Sequence, residues 1–209
     1  MKNFLLKYKI IYRLYQNIIR KDKDEYSFIK YVFQQHKNIN VLDICCGDSY
    51  ILNYIKNCIN SYIGIDNNSN YLKNSKKKFP KFYFINSDIE KIHKLKKLNR
   101  SKINFIFING AIHHLNDSKV TSLIYCLNKK FPNAKFLFID PVRGENKLIN
   151  KLMITLDRGK YIRTKQKYKK ILKNFNSMET NDFFIMSFLL IFHFKKMDLK
   201  KYYIKWRAK

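Results

Sequence analysis

The stretch Val41-Leu42-Asp43-Ile44-Cys45-Cys46-Gly47-Asp48-Ser49 decides how this chain is read. Together with Asn38-Ile39-Asn40 before it, its first half is a short run of β-branched and aliphatic residues. Its second half breaks into small and polar ones, so the whole reads as a buried strand entering a tight turn. Gly47 stands in that turn, where the absence of a Cβ lets the backbone approach a ligand closely.

Moving outward, four more short runs rich in β-branched and aromatic residues follow: SYIGID, KFYFINSD, INFIFING and AKFLFID. Helix-length polar and amphipathic stretches separate them at about residues 49 to 57, 68 to 78, 90 to 98 and 118 to 130. Strand alternating with helix implies an α/β fold with a parallel sheet, whose strands are nearly continuously apolar because helices cover both faces. Upstream, residues 3 to 20 place Phe4, Leu5, Tyr8, Ile11, Tyr12, Tyr15 and Ile18 on one stripe, and Tyr26 to Phe33 form a second such segment, predicting two N-terminal helices. Downstream, residues 145 to 157 and 164 to 175 read as helices, and Phe183 to Phe194 as a terminal antiparallel strand or hairpin, with a buried helix as the competing reading.

Composition narrows the possibilities. The 209 residues suit one domain, and 46% hydrophobic with 16% aromatic residues argues against disorder. Lys and Arg outnumber Asp and Glu by 43 to 15, a net charge of +28 that attracts polyanions. Lys, Asn, Ile, Tyr and Phe are abundant while there are only 5 Gly and 3 Pro, as AT-rich coding produces, so the charge identifies no ligand. Non-specific attraction to nucleic acid is expected from it.

Cys45, Cys46, Cys58 and Cys126 form no CxxC pair and have no histidine at metal-ligand spacing, so no metal is expected. The N-terminus lacks the apolar core and cleavage site of a signal peptide, and Phe183 to Phe194 is too short to span a bilayer. A reduced, cytoplasmic chain is expected.

In an open α/β sheet, ligands bind outside the carboxyl ends of the strands, where strand order reverses. Asp43, Asp66 and Asp88 each end or follow a strand, and Asn109-Gly110-Ala111-Ile112-His113-His114-Leu115 follows another. Any one aspartate there also serves as a helix cap, but three in series ring one crevice. Asp66, 19 residues after Gly47, is placed to accept both hydroxyls of a ribose. A dinucleotide fingerprint aligned here would read Cys45, Gly47 and Tyr50 in place of three glycines, which argues against a nicotinamide or flavin dehydrogenase.

On these motifs, residues 38 to 142 resemble the class I S-adenosylmethionine-dependent methyltransferases, in particular the subgroup with a VLDIGCG-like first motif and an HHL segment. The resemblance implies a Rossmann-like doubly wound sheet, mostly parallel with an antiparallel C-terminal strand, and S-adenosyl-L-methionine as cofactor. It implies one domain over residues 1–209: a helical cap over 1–36, a cofactor-binding core over 38–142, and substrate-side helices and terminal strands over 143–209. Asp43 would organise the methionine end, Asp66 the ribose, and Asp88 with the Ile89 amide the adenine, with Asn109 and Gly110 beneath the sulfonium. Cys45, Gly47 and Asn67 complete that set. Where the family has two further glycines, this chain has Cys45 and Ser49.

Methyl transfer needs positioning and sometimes a base for the acceptor proton. His113 and His114 are the candidate bases, and because adjacent helical residues point about 100° apart, one of them is expected to face the cleft while the alternative role is to orient the turn. No Asn/Asp-Pro-Pro-aromatic segment follows the fourth strand, which favours an oxygen or carbon acceptor. A second cluster, Leu156-Asp157-Arg158-Gly159-Lys160-Tyr161-Ile162-Arg163-Thr164, resembles LDRGxYxR segments of bacterial members. Asp157, Arg158, Tyr161 and Arg163 are candidates to grip a substrate, with an internal ion pair as the alternative.

The expected activity is methylation of a small-molecule or saccharide-type acceptor at oxygen or carbon. RNA methylation, with Lys and Tyr contacting phosphates and bases, is one rival reading. A non-catalytic binding protein with the same fold is the other.

Overall fold

The computed structural model of the chain describes residues 23–95, 98, 102–143, 159–173 and 206–207. Five parallel strands, β1 (Asn40–Ile44), β2 (Ser61–Asp66), β3 (Tyr83–Asn86), β4 (Phe105–Asn109) and β5 (Lys135–Ile139), make a sheet in the order β3-β2-β1-β4-β5. The chain winds outward through β2 and β3, then crosses back to lay β4 beside β1, with Val41 opposite Phe105 and Ile44 opposite Ile108. The order reverses between β1 and β4, so a crevice opens beyond Ile44 and Asn109.

Alternation along each strand sends side chains to two separate cores. Phe105 and Phe107 of β4 join Val41 of β1 under helices α1 (Lys23–Gln34) and α2 (Leu52–Ile55). Ile106 and Ile108 join Leu42 and Ile44 on the other face, under α4 (Asp117–Lys130) and α5 (Lys165–Lys173). Helix α3 (Ser69–Lys78) packs on the first face through Leu72. With large apolar residues buried on both faces, each worth about 1.5–3 kcal/mol, the sheet is the doubly wound one expected.

Differences from the sequence reading have local causes. The stretch at 49 to 57 is helical only over Leu52–Ile55, because Ser49 takes a left-handed φ of 53° that no helix accommodates. The stretch at 90 to 98 is a 3-10 helix, Ile89–Lys94, capped by Asp88 at one end. At its other end the buried Lys130 donates to the Leu95 carbonyl at 2.6 Å and the Ile92 carbonyl at 3.3 Å, closing it after two turns. A small parallel pair, β6 (Val142–Arg143) with β7 (Arg163–Thr164), ties the chain after β5 to the start of α5 and was not foreseen.

An antiparallel strand does lie at the sheet's edge, but it is β8 (Trp206–Arg207) against β5. The run Phe183 to Phe194 and the expected helices at 3 to 20 and 145 to 157 lie outside the described residues. Among the described residues no helix is long and apolar enough to cross a membrane.

Gly64, in the middle of β2, is a packing requirement. A Cβ there would stand 2.8 Å from Cys46 Sγ, 2.9 Å from Phe84 Cδ1 and 3.0 Å from Tyr62 Cε1, two of these against ring carbons that cannot swing away. Gly64→Ala is therefore expected to lower stability by about 1–3 kcal/mol in urea unfolding with its slope unchanged. An unaltered midpoint would show that Cys46 does not seat where β1 and β2 meet.

Candidate functional site

The turn after β1 is built from three left-handed residues: Cys45 at φ 61°, Gly47 at 56° and Ser49 at 53°. Two are not glycine, and such a conformation costs a side-chain-bearing residue about 1–2 kcal/mol. The strain is held by hydrogen bonds. The Cys46 amide donates to the Ile65 carbonyl at 3.0 Å, Ser49 closes back on the Cys46 carbonyl at 2.9 Å, and the Gly47 amide donates to Asp66 Oδ2 at 2.8 Å.

The other Asp66 oxygen accepts the Asn68 amide at 2.8 Å, so this carboxylate is aimed by main-chain donors on both sides. Each oxygen retains a further lone pair for a ligand. Asn67 is exposed beside it, its carbonyl tied to Asn86 Nδ2 at 3.2 Å. Asp88 is half-buried and accepts the Glu90 amide at 2.8 Å through Oδ1, a cap that leaves Oδ2. Ile89 lines an apolar groove of about 380 Å³ with Ile92, Leu115 and Leu123.

Across the switch point, Asn109 ends β4 and Gly110 turns outward at φ 64° while its amide donates to the Ile139 carbonyl at 2.8 Å. A Cβ on either Gly47 or Gly110 would meet nothing within 4 Å, so both face open space. The expected set Cys45, Gly47, Asp66, Asn67, Asp88, Ile89, Asn109 and Gly110 is thus gathered on the carboxyl edge of the sheet.

Asp43 departs from expectation. It is 2% exposed and accepts the Tyr62 hydroxyl at 2.5 Å, so it supports the turn from beneath. Burial raises its pKa to about 7, opposed by the Tyr62 hydrogen bond and reinforced by the Asp66 charge. Burial also pushes the Cys45 thiol up to about 12, which agrees with a packing role.

The two histidines are sorted by the fold. His113 is 3% exposed, and its Nδ1 lies 2.7 Å from Asp140 Oδ1. Asp140 is held on its other oxygen by the Tyr168 hydroxyl, which also reaches the Pro141 carbonyl at 3.2 Å. Burial, then the Asp140 charge, raises the Tyr168 pKa far above that of a free phenol. His114 is exposed and lines a pocket of about 250 Å³ with Asn116, Lys119, Lys160 and Tyr161.

Arg163 also departs from expectation. Its guanidinium is buried and donates to Asp117 Oδ1 at 2.8 Å, to the carbonyls of Ile112 at 3.2 Å and Tyr161 at 3.1 Å, and to that of Leu115 at 2.5 Å. Four of its five N–H donors are thereby committed, and it braces the β4 loop against the start of α4. Asp117 is drawn below the usual carboxylate range by Lys167 and then Arg163. Tyr161, by contrast, is 41% exposed, with its amide on the His113 carbonyl at 2.9 Å. Asp157 and Arg158 lie outside the described residues. Asp140, Tyr168 and Asp117 were not singled out from sequence, although Asp140 ends AKFLFID as the other site acids end their strands. Among the described residues no cluster of His, Cys, Asp or Glu could hold a metal.

A 3-2-1-4-5 sheet with a glycine turn after β1, an acid after β2 and a histidine loop after β4 defines a class I S-adenosylmethionine-dependent methyltransferase. The chain belongs to the methyltransferase domain family whose profile matches residues 35–184. No curated protein matches it. In fold it is similar to an SAM-dependent methyltransferase from Archaeoglobus fulgidus, at 20% identity and a TM-score of 0.64 over 83% of this chain and 77% of that one. It is also similar to the plantazolicin methyltransferase BpumL, solved with a triazolic desmethylPZN analog and SAH, at 16% identity and 0.61 over 83% and 72%. The plantazolicin methyltransferase BamL gives 19% and 0.62 over 83% and 70%.

The buried Asp43 has a pH signature. Its folded-state pKa lies above the unfolded value, so its contribution to stability is fully present in acid and is lost as pH rises toward and through about 7. Asp43→Asn cannot titrate and keeps an acceptor for Tyr62. Between pH 5 and 7 its stability is expected to gain on wild type by up to about 1.4 kcal/mol per unit, read from urea unfolding at each pH. Parallel stability curves for the two proteins would reject the assignment.

Proposed function

We propose that the protein transfers a methyl group from S-adenosylmethionine to the oxygen or carbon of a small-molecule or saccharide-type acceptor seated between the β4 loop and residues 159–161. When bound, the cofactor supplies an electrophilic methyl on a sulfonium. The residues present fit it: Gly47 and Gly110 open onto free space, Asp66 keeps acceptor sites for ribose hydroxyls, and the apolar groove beside Ile89 suits adenine beneath Asp88. Asn67 would border the ribose, and Asn109 the methionine end.

The observation that carries the acceptor reading is the division of labour between the histidines. His113 is occupied by Asp140 and keeps the loop in place, while His114 opens into a polar pocket with Tyr161 and Lys160. An imidazole there can take the proton of an acceptor hydroxyl as the methyl arrives. Arg163 and the Asp140–Tyr168 pair act through the loop, holding it in register with the sheet so that donor and acceptor meet.

Two expectations follow from these roles. Asp66→Ala is expected to weaken S-adenosylhomocysteine binding tenfold to a hundredfold, roughly, by calorimetry, the worth of a charge-assisted contact plus a loosened turn. Unchanged affinity would remove Asp66 from the site. With a labelled methyl donor and a panel of hydroxylated small molecules, His114→Asn is expected to lower kcat about 10²-fold with the fold intact, whereas His113→Asn costs about 1–3 kcal/mol of stability. The reverse pattern would move the acceptor to the other side of the loop.

A further inference from the structure

We infer that the acceptor carries an oxyanion, a carboxylate or a phosphate, bound against Lys160 in the pocket of His114, Asn116, Lys119 and Tyr161. This rests on the reading of that pocket as the acceptor site. The argument is an inventory of which polar groups there are already committed. Glu90 is taken by Lys119 at 2.6 Å. Asp117, at the start of α4, is shared between Arg163 Nε and Lys167 Nζ, each at 2.8 Å. Asp88 caps the 3-10 helix.

Glu90 and Asp117 are therefore each paired with a cation in place, while the exposed Lys160 has no ion-pair partner among the described residues. Asn116 spends its side-chain oxygen on the Lys119 amide at 2.9 Å, which leaves its Nδ2 as a donor. The Tyr161 hydroxyl is a second neutral donor at the exposed rim. Asn116 also marks the N-terminus of the 14-residue α4, whose end carries partial positive charge. Beyond the paired Lys119, the described lining offers a ligand one cation and two neutral donors and includes no carboxylate, and an oxyanion is the group that answers all three. A lysine's point charge suits either oxyanion, whereas Arg163 is committed to bracing the β4 loop.

The experiment uses the full chain, with histidine imidazole resonances as the probe, since there are only 5 to assign. Inorganic phosphate and acetate are titrated separately at fixed pH and fixed ionic strength against chloride. The expected result is a saturable shift of His114, weakened about three- to tenfold in Lys160→Gln, with S-adenosylhomocysteine affinity unchanged by calorimetry. Tighter saturation by phosphate assigns a phosphorylated acceptor, and saturation by acetate a carboxylate. Shifts that follow ionic strength alone, or the same affinity in Lys160→Gln, overturn the inference. Its failure is distinct from failure of the acceptor reading: in that case methyl transfer to the panel survives His114→Asn and Tyr161→Phe, whereas if only the oxyanion is wrong those variants stay impaired.

Discussion

The Asp66 carboxylate, with the Gly47 amide on one oxygen and the Asn68 amide on the other, is the contact on which the rest of the site depends. It joins the turn after β1 to the turn before α3, across 19 residues of chain, and so fixes the left-handed path through Cys45, Gly47 and Ser49. Three such residues in five are costly where two carry side chains, and a turn of this kind persists only when its surroundings over-determine it. Here they do so from two sides. Asp66 holds the turn at its lip, and Asp43 with Tyr62 supports it from below, in a space that Gly64 keeps free for Cys46.

On the other half of the sheet the same problem is solved with a cation. The β4 loop carries two buried carbonyls, that of Ile112, which the Leu115 amide already meets at 3.0 Å, and that of Leu115, and a buried carbonyl without a donor costs about 1–3 kcal/mol. Arg163 supplies donors to both, and its charge is balanced by Asp117. The paired strands β6 and β7 bring this arginine in from a part of the chain beyond the sheet, and the His113–Asp140–Tyr168 network adds a second tie between the same segments. Arg163, a candidate substrate ligand in one dimension, is thereby committed to bracing. Tyr161 and Lys160, two and three residues before the arginine, are exposed.

Much of the fold was legible in one dimension because parallel strands buried on both faces are nearly continuous in apolar residues: Phe105 to Ile108 and Phe136 to Ile139 are unbroken, and Val41 to Ile44 is interrupted only at Asp43. The candidate site at the carboxyl edge of the sheet was legible for a related reason. A strand must end where its ligand begins, so an acid or glycine directly after an apolar run carries information about position. The bracing by Arg163 of the β4 loop was not legible because its spacing from Tyr161 carries no information about which carbonyls lie nearby. The lengths of the elements after Ser49 and Asp88 were misjudged because backbone strain and a distant Lys130 set them, and neither acts through local periodicity.

From the sequence alone came the α/β class, the position of the crevice and the series Gly47, Asp66, Asp88, Asn109 and Gly110, since each depends on a short-range pattern of burial and turn chemistry. Tertiary structure alone decided that Asp43 turns inward to Tyr62, that His113 is occupied by Asp140 while His114 meets solvent, and that Arg163 is spent on carbonyls 48 and 51 residues away. A side chain's partner is set by what the fold brings alongside it, and in each of these cases that partner lies 19 or more residues distant, beyond the reach of any local rule.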